Sequence, residues 1–395
     1  MGKKLEKRQT AARPAAAPTL TKKQIARSRK ETRQLRIIWT VVAAVGAVVL
    51  AVILFALIRE LAVAPNAAVA VVDGTKVSLK DYEDQLTLSR YSLHSEIANM
   101  QYQLSLLDTS TEEGTFLSQY YGQVVQQYQA QLDLVSDNTL QGLIEDVLIK
   151  KKAQEAGLSV TLSEAQARIR TDVESSLAAQ ASSITSTETI SGPTPVPTAI
   201  PAATIDATLQ TFLARVGLPL SAYERIEQRN LLRGKVSDLL ASQVISTGLM
   251  IHVQLIMTDT QAVADTAKQR IDAGEDFATV AKEVSGESQV QTNGGDLGWL
   301  AADQLTSSYG TDLNNAASSQ EIGTLTVVQS NSKFYVLRVV ERNPNGTLPD
   351  SVISQRKSSA LSEWLAAQTE ALGDKIQRLL KTSQIPPDPF VTATP

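Results

Sequence analysis

The chain of 395 residues contains no cysteine and only two histidines, His94 and His252. Without a thiol there is no disulfide framework, no thiolate nucleophile and no cysteine-ligated metal, although this says little about compartment. Two imidazoles are too few for a histidine metal cluster or a well-supported Ser-His-Asp triad. No cofactor or metal is therefore expected. What is present is an ordinary hydrophobic fraction of 43%, enough for two or three modules and a sizeable core.

The net charge of −4 hides an asymmetry. Residues 1–36 carry twelve Lys or Arg against Glu6 and Glu31, which leaves +10 there and −14 beyond. Between Arg36 and Arg59 lie 22 uncharged residues, mostly Val, Ala, Ile and Leu. At about 1.5 Å per helical residue these would cross a hydrocarbon layer of roughly 30 Å. The pattern predicts a transmembrane helix over 37–58, with the basic end inside and everything after about Ala62 outside. Ala62-Val63-Ala64 has the small-x-small form of a signal-peptide cleavage site, but the apolar run is long for a signal peptide and Pro65 follows the cut. The basic tail suits a topology determinant or lipid-surface contact, and no nucleic-acid partner is expected.

Residues 67–77 read as strand, turn at Asp73-Gly74 and strand. Ser78 with Asp81 opens a helix as a capping box, Thr161 with Glu164 opens another, and Ser221 with Glu224 forms a third such pair. Leu140, Leu143, Ile144, Val147 and Leu148 mark an amphipathic helix stopped near Gly157. The stretch 181–204 is rich in Ser, Thr, Pro and Ala and reads as a flexible insertion. Further on, Leu361, Trp364, Leu365, Leu372, Ile376 and Leu379 share one helical face within 350–381, and prolines 386, 387 and 389 end the pattern.

The most specific segment is Asn293-Gly294-Gly295-Asp296-Leu297-Gly298-Trp299, with a short helix before it and a strand-like run over 334–340 after it. This resembles the parvulin class of peptidyl-prolyl isomerases. The strand-turn-strand start, the helix over 139–156 and the Gly157-Leu158-Ser159-Val160 exit resemble the N-terminal chaperone domain of SurA/PrsA-like foldases, covering 66–175 and resuming over 209–244. In such foldases a C-terminal helix returns to pack on that domain.

Together these imply an α+β fold class: a single N-terminal transmembrane helix, a mainly helical chaperone-like domain, and a parvulin-like domain with a small antiparallel sheet flanked by helices. The expected boundaries are a basic cytoplasmic tail (1–36), the membrane helix (37–58), the helical domain (66–248), the parvulin-like domain (249–343), the last helix (350–381) and a disordered tail (382–395).

Isomerisation of an X-Pro bond needs no nucleophile. It needs an apolar socket, little water and polar groups that favour the twisted bond. The resemblance puts Leu305 and Tyr309 at the proline socket, although both types are also ordinary core residues. Leu255 and Met257 complete the substrate-binding set. Glu287, after Ser285-Gly286, matches a position that holds an acid or thiol near the reacting bond. Many parvulins carry two facing histidines. Counting back from Phe277 places the first on Leu255, whereas matching the apolar triplet Leu255-Ile256-Met257 places it on Gln254, which is preferred because a polar residue suits the floor. The second falls on Tyr335, with Ser332 in the adjoining turn, so both imidazoles are replaced. His252 lies too far along the strand to substitute.

The function implied is a membrane-anchored extracytoplasmic foldase, single-pass with its N-terminus in the cytoplasm, that isomerises prolyl bonds in exported, partly unfolded polypeptides. A holdase with a weak or inactive parvulin-like domain is the alternative. A tether acting through the proline-rich insertion is a third.

Overall fold

In β1 (Ala68–Val72) and β2 (Thr75–Ser78), apolar residues face a helical layer and the pair closes through Asp73 and Gly74. Both turn residues have positive φ, 48° and 81°, the conformation a two-residue hairpin of this hand requires. The Ser78 hydroxyl accepts from the Asp81 N–H and starts α1 (Leu79–Ser105). The structure, a computed structural model, describes residues 66–185 and 200–391.

A longer helix than expected follows. α2 spans Glu112–Glu155, 44 residues, and stops where Gly157 takes φ 68°. The Thr161–Glu164 pair closes both bonds of a capping box at the head of α3 (Leu162–Thr185): the Thr161 N–H donates to the Glu164 carboxylate, and the Glu164 N–H donates to the Thr161 hydroxyl. The third such pair is a correction. After α4 (Ala202–Val216), α5 (Leu220–Ser242) starts behind Pro219, two residues too early for Ser221 to cap it. Glu224 is buried and accepts from Gln166 of α3 instead. Tyr82, Leu86, Ile144 and Ile226 are fully buried. Arg225–Asp84, Arg229–Asp146 and Arg233–Asp146 ion pairs of 2.9, 3.3 and 2.9 Å lace α5 to α1 and α2 around this core.

The second layer is a four-stranded antiparallel sheet. Its strands are β3 (Thr247–Thr258), β4 (Asp296–Ala301), β5 (Leu325–Ser330) and β6 (Lys333–Thr347), in the order β4-β3-β6-β5. Between β3 and β4 run α6 (Gln261–Asp272), α7 (Phe277–Val284) and α8 (Ser288–Asn293). Between β4 and β5 run α9 (Ala302–Tyr309) and α10 (Thr311–Ser319). β3 and β6 are apolar on both faces because helices cover both. Ile256, Val336 and Phe334 meet α6 and α7, while Val253, Leu255, Tyr335 and Leu337 meet α9 and α10.

The last segment departs from expectation. α11 (Asp350–Leu372) packs on α5 and is tied to α9 by a two-pronged Arg356–Asp303 pair at 2.6 and 3.0 Å. It breaks at Gly373, and Ile376–Arg378 becomes strand β7, antiparallel to β1, giving a small sheet of order β2-β1-β7. Leu372, Ile376 and Leu379 therefore do not share a helical face. The chain does return to the helical domain, by α11 packing on α5 and also through backbone hydrogen bonds of β7 that helical periodicity could not reveal. Residues 382–391 are corrected as well. They run along α1, where Arg90 donates to the Pro386 carbonyl at 2.8 Å.

Among the described residues no helix is long and apolar enough to cross a membrane. The membrane-spanning element of the expected fold class is accordingly withdrawn. Residues 37–58 lie outside the described residues, as do 186–199 of the proline-rich stretch. The fold class is mixed α+β, with a parvulin-like sheet and flanking helices.

Candidate functional site

The glycine-rich turn sets the site by bringing β4 back against β3. Gly294, Gly295 and Gly298 have φ of 63°, 77° and 67°, and the Gly295 carbonyl accepts from the Leu255 N–H at 2.8 Å. Alternation along β3 then sends Leu255 and Met257 to the α9 side and Ile256 to the α7 side. Across the ladder Met257 opposes Tyr335 and Leu255 opposes Leu337, so these residues share one face.

On that face the structure brings together Leu255, Met257, Leu305, Tyr309 and Tyr335. Leu255 and Leu305 are both 0% exposed. They form the packed underside of this cluster, so the substrate contact expected of them would need that underside to open. Met257 and Tyr309 are half-buried and form the accessible part. The Tyr309 and Tyr335 rings meet edge to face, 5.9 Å between centroids.

Glu287 completes the cluster from the loop before α8. That loop is anchored to the end of β3: the Gly286 N–H donates to the Met257 carbonyl at 2.8 Å, and the buried Ser285 hydroxyl accepts from the Met257 N–H at 3.2 Å. The Glu287 Oε2 atom is buried and has no hydrogen-bond partner. Burial and then the Glu287 charge push the Tyr309 phenol up to about 12, with Tyr335 adding to it. Burial and Glu287 likewise raise Tyr335, against the opposing charge of Lys333. Both phenols thus keep their protons throughout the physiological range and can donate, within the field of an unpartnered carboxylate oxygen.

Gln254 does not join them. It lies on the opposite face, where Arg338 donates to its side-chain oxygen at 2.7 Å and sits 4.7 Å over the Phe277 ring. Of the two alignments for the first family histidine, the one ending on Leu255 matches the Tyr335 face, so the polar-residue preference for Gln254 is corrected. His252 is also elsewhere: its Nε2 is 2.7 Å from Asp296 and its ring lies against Trp299. Burial pushes the Asp296 carboxyl up, but the Gly298 N–H, His252 and Gln254 outweigh it and hold it below the usual range. Ser332 sits exposed in the two-residue turn between β5 and β6, with φ 62°.

Two contributors escaped the sequence reading. Ser285 marks the position of Glu287 in the sequence, and its hydroxyl also accepts from the Glu287 N–H two residues on, at 3.5 Å, a local serine-turn pattern. Ser330, buried beside Gly310 of the α9–α10 junction and without a hydrogen-bond partner, gave no sequence signal.

Residues 237–343 match the family described as PPIC-type PPIASE domain. This part of the chain is a parvulin-type domain. The chain is 31% identical over 136 residues to the foldase protein PrsA of Clostridium kluyveri, covering 34% of this chain and 38% of that protein. It is 25% identical over 145 residues to the chaperone SurA of Methylobacillus flagellatus, covering 34% and 32%. The match thus spans about a third of the length of these curated relatives. Among solved structures, the parvulin domain of PpiD from E. coli is 29% identical, covering 25% of this chain and 92% of that one, with a TM-score of 0.22.

Proposed function

We propose that the protein is a foldase that catalyses cis-trans isomerisation of X-Pro bonds in exported, partly unfolded polypeptides. The supporting observation is the unpartnered Glu287 carboxylate oxygen beside the Tyr309 and Tyr335 phenols, above an apolar floor in a parvulin-type domain. Amide resonance sets the rotation barrier of about 18 to 20 kcal/mol and places extra negative charge on the carbonyl oxygen of the planar bond. A fixed carboxylate near that oxygen raises the planar states more than the twisted one. A phenol O–H can donate to the imide nitrogen, whose lone pair is freed only on twisting. Both effects act on the difference between ground and transition state, which is what lowers a barrier.

The test is a proline-limited refolding assay with the full chain. Acceleration is expected, and Glu287→Gln should slow the catalysed rate about tenfold, equivalent to about 1.4 kcal/mol, while leaving the circular dichroism unchanged. No acceleration at any protein concentration would reject the isomerase. The replaced imidazoles favour a second reading, a holdase whose parvulin-type domain binds without catalysing. In that case aggregation of an unfolded client is suppressed equally by the unaltered chain and by Glu287→Gln.

We further propose that the domains act outside the cytoplasm, supported by the basic run of residues 1–36 directly ahead of an uncharged apolar run, the order that export signals take. Protease added to intact spheroplasts should then digest the parvulin-type domain. Protection until lysis would refute this placement.

A further inference from the structure

A second set of aromatic and polar contacts, remote in sequence from the parvulin-type domain, lies on the helical domain. Tyr223, Phe212 and Tyr91 form a continuous row of rings across α5, α4 and α1, with centroids 5.5 and 5.7 Å apart. The row is extended by Phe390, 5.5 Å from Tyr91 and 5.9 Å from His94. Phe390 belongs to Ile385-Pro386-Pro387-Asp388-Pro389-Phe390, which is laid along α1. Pro386, Asp388 and Phe390 are half-buried while Pro387 and Pro389 face solvent, the alternation of an extended segment read on one side.

The polar contacts are those of a site for backbone as much as for side chains. Arg90, buried in α1, donates to two successive carbonyls, Pro386 at 2.8 Å and Pro387 at 3.3 Å. His94 Nε2 meets Asp388 Oδ2 at 2.9 Å, and the other Asp388 oxygen accepts from the Phe390 N–H at 3.0 Å. Proline residues carry no N–H, so a proline-rich segment offers carbonyl acceptors and leaves few donors to satisfy. A buried guanidinium beside aromatic rings supplies the complement. The stiff backbone of such a segment also loses little entropy on binding, which is why grooves of this chemistry recur as proline-rich recognition sites.

We propose that the face of α1 bearing Arg90, Tyr91 and His94 is a binding groove for extended proline-rich segments bearing an acid and an aromatic residue, and that residues 385–390 of this chain occupy it in cis. A client segment of that composition enters by displacing the resident one. The site is independent of the isomerase: it uses Arg90, Tyr91, His94 and Phe212, none of which lies in the parvulin-type domain.

The probe is a fluorescein-labelled peptide with the sequence of residues 382–391, titrated by anisotropy. In the unaltered chain it must compete with a tethered copy at high effective concentration. The full chain carrying Pro386→Gly, Asp388→Ser and Phe390→Ser should therefore bind it at least tenfold more tightly than the unaltered chain. A peptide with the same Asp388→Ser and Phe390→Ser changes should bind that variant at least tenfold more weakly than the unaltered peptide. In the triple variant, Arg90→Ala should weaken binding at least tenfold, which separates this groove from the proline site on β3, and undiminished binding there also overturns the proposal. Equal binding of altered and unaltered peptides, or no saturable binding to the triple variant, overturns the proposal. Should the triple variant not fold, 4-fluorophenylalanine at position 390 of the unaltered chain gives a second readout. Excess unlabelled peptide must move its fluorine resonance toward that of the free segment, and an unmoved resonance at millimolar peptide also overturns the proposal.

Discussion

Gly295→Ala is expected to destabilise the parvulin-type domain by roughly 2 to 5 kcal/mol, whereas Gly298→Ala, three residues along the same turn and strand, should cost about 1 to 2 kcal/mol. Both glycines adopt positive φ, 77° and 67°, so alanine meets the same intrinsic penalty at each. They differ in what surrounds them. A Cβ on Gly295 would lie 2.6 Å from the Phe277 ring, 2.9 Å from the Leu255 carbonyl and 3.0 Å from the Ala281 methyl, while one on Gly298 would meet nothing within 4 Å. Two of the three obstacles belong to α7, which is buried against the sheet and cannot move alone. Urea unfolding followed by tryptophan fluorescence measures both variants. Equal losses would show that φ alone governs this turn and that its close packing on α7 contributes little. Because the Gly295 carbonyl accepts from the Leu255 N–H, the shift that relieves the overlap also moves Leu255 under the site. The isomerase rate should fall with the stability in Gly295→Ala, and much less in Gly298→Ala.

Such turns are legible from sequence because their cause is local. Three glycines within five residues, a capping serine ahead of Asp81, and a threonine three before Glu164 each act through bonds within a few residues of themselves. The pair Ser221–Glu224 has the same letters, but Pro219 had already started the helix, and Glu224 was drawn to Gln166 on another helix. Face assignment on β3 failed for a related reason. Gln254 looked like a site residue because it is polar on an apolar strand, and nothing near it in sequence announced Arg338, its partner 84 positions away. The ladder is also bulged, shifting register between His252 and Val253 against β6 and between Val253 and Gln254 against β4. The strand made by Ile376–Arg378 is the extreme case, since its partner β1 lies some three hundred residues earlier and only tertiary pairing overrides the helical pattern. Socket residues were recognisable by type, yet type alone could not separate the buried floor from the exposed lip.

That separation is testable through Leu305 and Met257, which lie in the same cluster but differ in exposure. Leu305→Ala should cost about 3 to 4 kcal/mol, because its neighbours Leu255, Tyr335 and Leu337 sit on paired strands that cannot collapse into the space. Leu305→Met keeps the volume and should cost less than about 1.5 kcal/mol. If Leu305 only supports the floor, Leu305→Met retains nearly the full isomerase rate. Met257→Ala removes part of the accessible surface that would touch the proline ring, so it should lower kcat/KM about tenfold, while losing only about 1 to 2 kcal/mol of stability from its half-buried side chain. The two variants are compared in the same refolding assay, with urea midpoints confirming that each remains folded. A Leu305→Met chain that is stable but as slow as Met257→Ala would make Leu305 a contact residue. The underside of the site would then have to open when substrate binds, and the division between floor and lip drawn from burial would fall.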